Sequence, residues 1–180
     1  NPQKYALSDV RVRKALSLAT NRKELAEKVY SGYAEPSALM YAAKTGYYFD
    51  PNVLKPDPFD PEQAKKLLAE AGYASGFRTT ISDMGGGGAL TTVNIALSGY
   101  LRNVGITADV VPIEYGTALS RFQPKQVPEV WNTLWSWFTT GGVFQFEKMA
   151  TSYHSTKGAN KNLRNPKLDQ LIDTVPQTRD

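Results

Sequence analysis

Residues 77 to 112 constrain the fold more than any other stretch of this chain. "FRTTIS" (77–82) has the β-branched and aromatic content of a strand, and four glycines, Gly85 to Gly88, follow shortly after. A helical pattern then starts near Leu90, with Val93, Leu97, Leu101 and Val104 on one side. Gly105 closes it, and "ITADVVPIE" reads as a second strand. A helix between two strands is the connection that parallel pairing requires, so an α/β sheet with a parallel crossover is expected. A short helix over 115–122 should lead to a third strand in "EVWNTLWSW" (129–137). The chain has no internal repeat.

The segments before this unit are helical. Ser8 is placed to cap a first helix whose stripe is Val12, Ala15, Leu16 and Ala19. Asn21, with Glu24 three residues on, forms a capping-box pattern for a second helix that Gly32 stops. Residues 33–59 hold prolines 36, 51, 56 and 58 and the rings of Tyr41, Tyr47, Tyr48 and Phe49, the content of a long ordered loop rather than a linker. In "DPEQAKKLLAEAGY", Asp60 caps, Pro61 opens the helix, and Ala64, Leu67, Leu68 and Ala71 form its apolar face before Gly72.

Composition removes several functions. Cysteine is absent, which excludes disulfides, thiol catalysis and cysteine-ligated metals and suits an oxidising compartment. The net charge of +4 raises nucleic acid as a partner. However, the basic residues of the first thirty positions alternate with Asp9, Glu24 and Glu27 as on a solvated helix face, and no nucleic-acid motif accompanies them. No stretch approaches the roughly 20 apolar residues that span a bilayer. "NPQKYALSDV" lacks the basic start and apolar run of a signal peptide, and the abrupt ends read as those of a piece of a longer chain.

The glycine run does not make a nucleotide site. A phosphate loop needs a lysine after its last glycine, and here Ala89 to Thr92 follow Gly88. The dinucleotide fingerprint G-x-G-x-x-G is only half present. A strand-to-helix loop is the better reading. The only histidine, His154, reads as a surface-loop residue with no nucleophile elbow nearby, and one histidine does not build the usual zinc sites. No catalytic residue, metal site or cofactor is expected.

Three stretches together carry a resemblance. "LSDVRVRKALSLATNRKELAEKVYSGYAEPS" resembles the D-x-R-V-R-x-A-L-x-x-A-x-[DN]-R segment of bacterial extracellular solute-binding proteins of family 5, the peptide- and nickel-binding components of ABC importers. "DPFDPEQAKKLLAEAGYASGF" resembles the family's Y-D-P-E-K-A-K-x-L-L-A-E-A-G-Y-x-x-G-F, and "LRNPKLDQLID" its Y-x-N-P-x-[LVF]-D-x-L-I. The resemblance implies a periplasmic-binding-protein-like lobe with a mixed β-sheet flanked by helices. Residues 1–180 would form most of the C-terminal lobe of a two-lobed protein. The implied partners are a small solute, an ABC permease in the inner membrane and the protein's own N-terminal lobe. The implied location is periplasmic, or extracellular on a lipid anchor. A ligand-sensing domain of a transcription regulator shares this fold and is the alternative; an enzyme acting through cleft carboxylates is a more distant one.

The ligand-facing stretch is expected in "VPEVWNTLWSWFTTGG". Strand alternation puts Trp131, Thr133, Trp135 and Trp137 on one face. Trp131 suits the core, while Trp135 and Trp137 near the strand's carboxyl end suit stacking on a ligand. Peptide-binding members of the resembled family carry G-W-x-x-D-Y-x-x-P here, with the aspartate pairing the peptide's amino group. Trp135 matches their tryptophan, Phe138 stands in the aspartate position, and Asn132 stands where some oligopeptide binders keep an arginine. Without that acid a buried ammonium lacks a partner. The pattern therefore favours a flat or neutral solute, such as a sugar, an aromatic compound or a modified peptide. The expected ligand-binding residues are Asn132, Trp135, Trp137, Phe138 and Thr139.

Overall fold

The computed structural model describes residues 6–36, 55–83, 87–114, 116–117, 120, 130–132, 154–157 and 165–174. Strands β1 (Phe77–Asp83), β2 (Ile106–Pro112) and β3 (Val130–Asn132) form a sheet in the order β2-β1-β3. Both pairings are parallel, with Phe77 opposite Ile106 and Ile81 opposite Val130. The β1–helix–β2 crossover thus stands as the sequence pattern requires. An antiparallel member of the expected mixed sheet does not occur among the described residues.

Alternation along β1 and β2 decides which face is covered. Phe77 and Ile81 are buried with Ile106 and Ala108, whereas Arg78 and Thr107 on the opposite face are exposed. On that face Arg78 donates to both carboxylate oxygens of Asp109 at 3.0 and 3.2 Å, an exposed pair worth at most about 1 kcal/mol. The covered face meets helices α1 (Val10–Ala19), α3 (Pro61–Glu70) and α4 (Ala89–Asn103); α2 (Arg22–Lys28) follows α1, and α5 (Pro166–Thr174) comes last. The core joins Val12, Ala15 and Leu18 of α1 to Leu68, Ile81, Leu101 and Ile106.

Hydrogen bonds at both ends clamp α1 against α3 in antiparallel fashion. Asp60 donates its backbone N–H to the Leu18 carbonyl at 2.9 Å, while Arg11 Nη1 donates to the Glu70 carbonyl at 2.7 Å. Asp60 also accepts from the Gln63 N–H at 2.9 Å with Pro61 in the first helical turn, as its sequence predicts. Asn21 likewise caps α2, accepting from the Glu24 N–H at 3.1 Å. Tyr100 of α4 donates to Glu24 at 2.8 Å, tying α4 to α2.

Three details differ from the sequence reading. Asp9 rather than Ser8 caps α1, accepting from the Arg11 N–H at 2.8 Å. The Arg11 guanidinium folds back on Asp9 and, with that N–H, holds the carboxyl at about 2. Leu18 is buried where Leu16 was expected, because α1 turns that position toward α3. In α4 the buried line is Asn94, Ser98 and Leu101, with Val93 and Leu97 only half-buried. Two polar residues are stable there because each is satisfied: Asn94 Nδ2 donates to Asp83 at 2.8 Å and Ser98 Oγ to the Ala108 carbonyl at 2.6 Å.

Candidate functional site

The parallel register gathers Asp83, Pro112 and Asn132 at one edge, the carboxyl ends of the three strands. Open α/β sheets bind ligands outside this edge. Asn132 is thereby placed opposite Asp83 on the central strand. The other four expected binding residues, Trp135, Trp137, Phe138 and Thr139, lie outside the described residues. So do Thr133, the loop aromatics Tyr41, Tyr47, Tyr48 and Phe49, and Gly85 and Gly86; of the expected 115–122 helix, 116, 117 and 120 are described and helical.

Asp83 is the chemical centre of the described edge. It is 5% exposed, and its two oxygens accept from Asn94 Nδ2 and Thr91 Oγ1, each at 2.8 Å. Thr91 Oγ1 in turn accepts from the Gly87 N–H at 3.0 Å. The Asp83 carbonyl accepts from the Ile113 N–H at 2.9 Å, extending the hold to the chain leaving β2. Just beyond, Glu114 accepts from the Thr117 N–H at 2.9 Å. Backbone donors at Gly116 and Thr117 keep its carboxyl below the ordinary range. The glycine run ends as a strand-to-helix connection: Gly87 has φ +88° and Gly88 is the N-cap of α4. The sequence reading missed the Asp83 network. Its trace was an acid at the strand end with Thr91 and Asn94 three residues apart on the next helix, one face of its first turns.

A second polar group surrounds His154, which is buried and not the surface residue its sequence context implied. Its Nδ1 accepts the backbone N–H groups of Thr156 and Lys157, both at 3.2 Å, so the neutral ring carries its proton on Nε2. That nitrogen is 3.4 Å from Asp173, which also accepts from Lys157 Nζ at 2.5 Å. Asp169, one turn earlier on α5, accepts from the N–H and hydroxyl of Ser155. These bonds, led by Ser155 for Asp169 and Lys157 for Asp173, lower both carboxyls. Ser155 faces Asp169, not the imidazole, so this is a clasp between a turn and a helix rather than a nucleophile–base pair. Among the described residues no group of three or more histidines and carboxylates could hold a metal ion.

A cavity of about 200 Å³ lies between α1 and α4, lined by Leu16, Ser17, Thr20, Arg22, Ile81, Leu97 and Leu101. It is smaller than the roughly 300–1,000 Å³ of ligand pockets. The carboxyl edge therefore remains the candidate site.

Comparison with known proteins identifies the family. Residues 1–158 match the family model described as bacterial extracellular solute-binding proteins, family 5 Middle. The chain belongs to this family. Among curated relatives, the glutathione-binding protein GsiB of Escherichia coli (strain K12) is 33% identical over 115 residues, covering 64% of this chain and 22% of that protein. The chain thus spans about a fifth of the length of the curated relatives it matches. HbpA2 from Haemophilus parasuis superposes with a TM-score of 0.82 at 22% identity, over 97% of this chain and 35% of that one. DppA from Helicobacter pylori, in complex with peptide STSA, gives 0.79 at 24% identity over 100% and 35%. NikA from Staphylococcus aureus, in complex with Ni(L-His)2, gives 0.78 at 22% over 94% and 36%. At these identities the structures establish the fold, an α/β lobe of the periplasmic-binding-protein kind. No helix among the described residues is long and apolar enough to cross a membrane.

Proposed function

We propose that this chain forms most of the C-terminal lobe of a two-lobed ABC-importer receptor. It holds a small organic solute at the carboxyl edge of its sheet and delivers it to a permease in the membrane. The observation that carries this reading is the register that ends three parallel strands together at Asp83, Pro112 and Asn132. Membership of an extracellular solute-binding family supports it. The solute is peptide-like or another compact organic molecule, in keeping with relatives named for glutathione and crystallised with a peptide or a nickel–histidine complex. Asn132, Trp135, Trp137, Phe138 and Thr139 are the residues proposed to meet it, the rings giving stacking area at low entropic cost. The lobe performs no chemistry on its solute. The protein works outside the cytoplasmic membrane, in the periplasm or on a lipid anchor, and does not bind nucleic acid.

Mass spectrometry of solute released from the gently purified full-length protein tests this, and a chemically intact small molecule is expected. Trp135→Ala should weaken binding of that molecule by about 2–4 kcal/mol, as truncation of a buried aromatic anchor does. Recovery of a cleaved product, or full affinity in Trp135→Ala, would overturn the reading.

A further inference from the structure

Resting on solute capture at the carboxyl edge, we infer that Asp83 is a positioning residue. Through Thr91 it fixes the Gly87 backbone beside that edge without itself touching solute. A carboxylate at a strand end would ordinarily sit in water, since removing the charge costs several kcal/mol unless it is fully bonded. Asp83 is nevertheless buried, with Thr91 and Asn94 on its two oxygens.

The direction of the relay is fixed by chemistry. A carboxylate only accepts and a backbone N–H only donates, so the Thr91 hydroxyl gives its proton to Asp83 and its lone pair to Gly87. The relay runs opposite to an ordinary helix cap, with a residue of the first turn accepting from an N–H that precedes the helix. Gly88 at the N-cap has no side chain to offer, and Thr91, at the third helical position, reaches back instead. Glycine has the most backbone freedom to lose, so a glycine-rich connection is held in one shape only by such ties. Asp83 also holds the end of β2 through its carbonyl and stands opposite Asn132. One residue therefore sets the first turn of α4 and the two neighbouring strand ends relative to each other. A preformed edge binds more tightly because less ordering remains for the solute to impose.

The test uses the full-length protein and three probes, glutathione, the peptide STSA and Ni(L-His)2, titrated calorimetrically. Thr91→Val keeps the branched shape and removes the hydroxyl, whereas Thr91→Ser keeps the hydroxyl. Thr91→Val should weaken the tightest probe by about tenfold or more, and Thr91→Ser should restore affinity to within about threefold of wild type, because preorganisation depends on the hydroxyl. Hydrogen exchange at the Gly87 amide should accelerate in Thr91→Val alone, with the β1 amides unchanged. In wild-type protein the bound probe should protect residues 83–92. If a probe binds without protecting them, solute capture at this edge fails and the inference with it; if Gly87 exchange in Thr91→Val matches wild type, the relay is overturned whether or not a probe binds. If protection occurs but Thr91→Val binds like wild type, the relay alone is overturned.

Discussion

Replacing Gly76 by alanine should damage the fold far more than the same change four residues earlier. Gly76 has φ +72° and leads into β1; Gly105 has φ +90° and leads into β2. Their backbones touch beside Phe77 and Ile106, the first paired residues of the two strands. A Cβ at Gly76 would lie 1.8 Å from the Gly105 carbonyl oxygen and 2.6 Å from its carbon. Backbone atoms on a strand entry cannot rotate away as a side chain can, so β1 and β2 must separate at that pair. The left-handed conformation costs a non-glycine residue about 1–2 kcal/mol. Forced overpacking adds about 1–3 kcal/mol. Gly76→Ala should therefore cost about 2–5 kcal/mol, the sum of those two effects. Gly72→Ala is the control: φ is +86° but nothing lies within 4 Å of its Cβ, which leaves only the backbone cost. Urea unfolding of the full-length protein, followed by circular dichroism, would compare the two. Thermal scans of the same protein should rank the two variants in the same order. Equal losses for Gly76→Ala and Gly72→Ala would refute the close approach.

Two further outcomes follow from the helices. Asp60→Ala removes the α3 cap and should cost about 1 kcal/mol, with probe affinity of the full-length protein unchanged in calorimetry. A specific affinity loss at unaltered Tm would place this segment in the solute site instead. Burial, reinforced by the bond to Glu24, pushes the Tyr100 phenol up to about 12. An unfolded tyrosine titrates near 10, so between about pH 10 and 12 the unfolded state loses a proton that the native state keeps, and stability falls as pH rises. Urea midpoints at the two ends of that window should drop more for wild type than for Tyr100→Phe, and parallel drops would contradict the assignment.

Elements stabilised locally were legible in the sequence. Asp60–Pro61 and Asn21–Glu24 announce their helices because each cap bond joins residues only three apart. The β1–α4–β2 unit was legible for a similar reason: glycines mark its turns and a helix must separate its parallel strands. What escaped depends on partners distant in the chain. The period of α4 pointed to Val93 and Leu97, yet Asn94 and Ser98 are buried, because Asp83 and the Ala108 carbonyl await them across the helix–sheet interface. His154 looked solvated because its partners, Asp169 and Asp173, lie on a helix that begins at Pro166. At the candidate site, order and register put Asn132 at the carboxyl edge, while its contact with solute and those of Trp135, Trp137 and Phe138 belong to the proposal.

The bond from the Asp60 N–H to the Leu18 carbonyl has a consequence for protein engineering. With the Lys14–Asp57 ion pair at 2.6 Å, it fastens the chain returning to α3 against the chain that left α1. The span after α2, which Tyr100 separately ties to α4, re-enters the fold at this closed base, so lengthening it should disturb the packing of α1 on α3 little. Each doubling of such a closed span costs only about 0.6 kcal/mol in closure entropy. A guest domain spliced in after Pro36 should therefore leave α1 packed on α3, and an optical reporter mounted there would show whether the base stays closed.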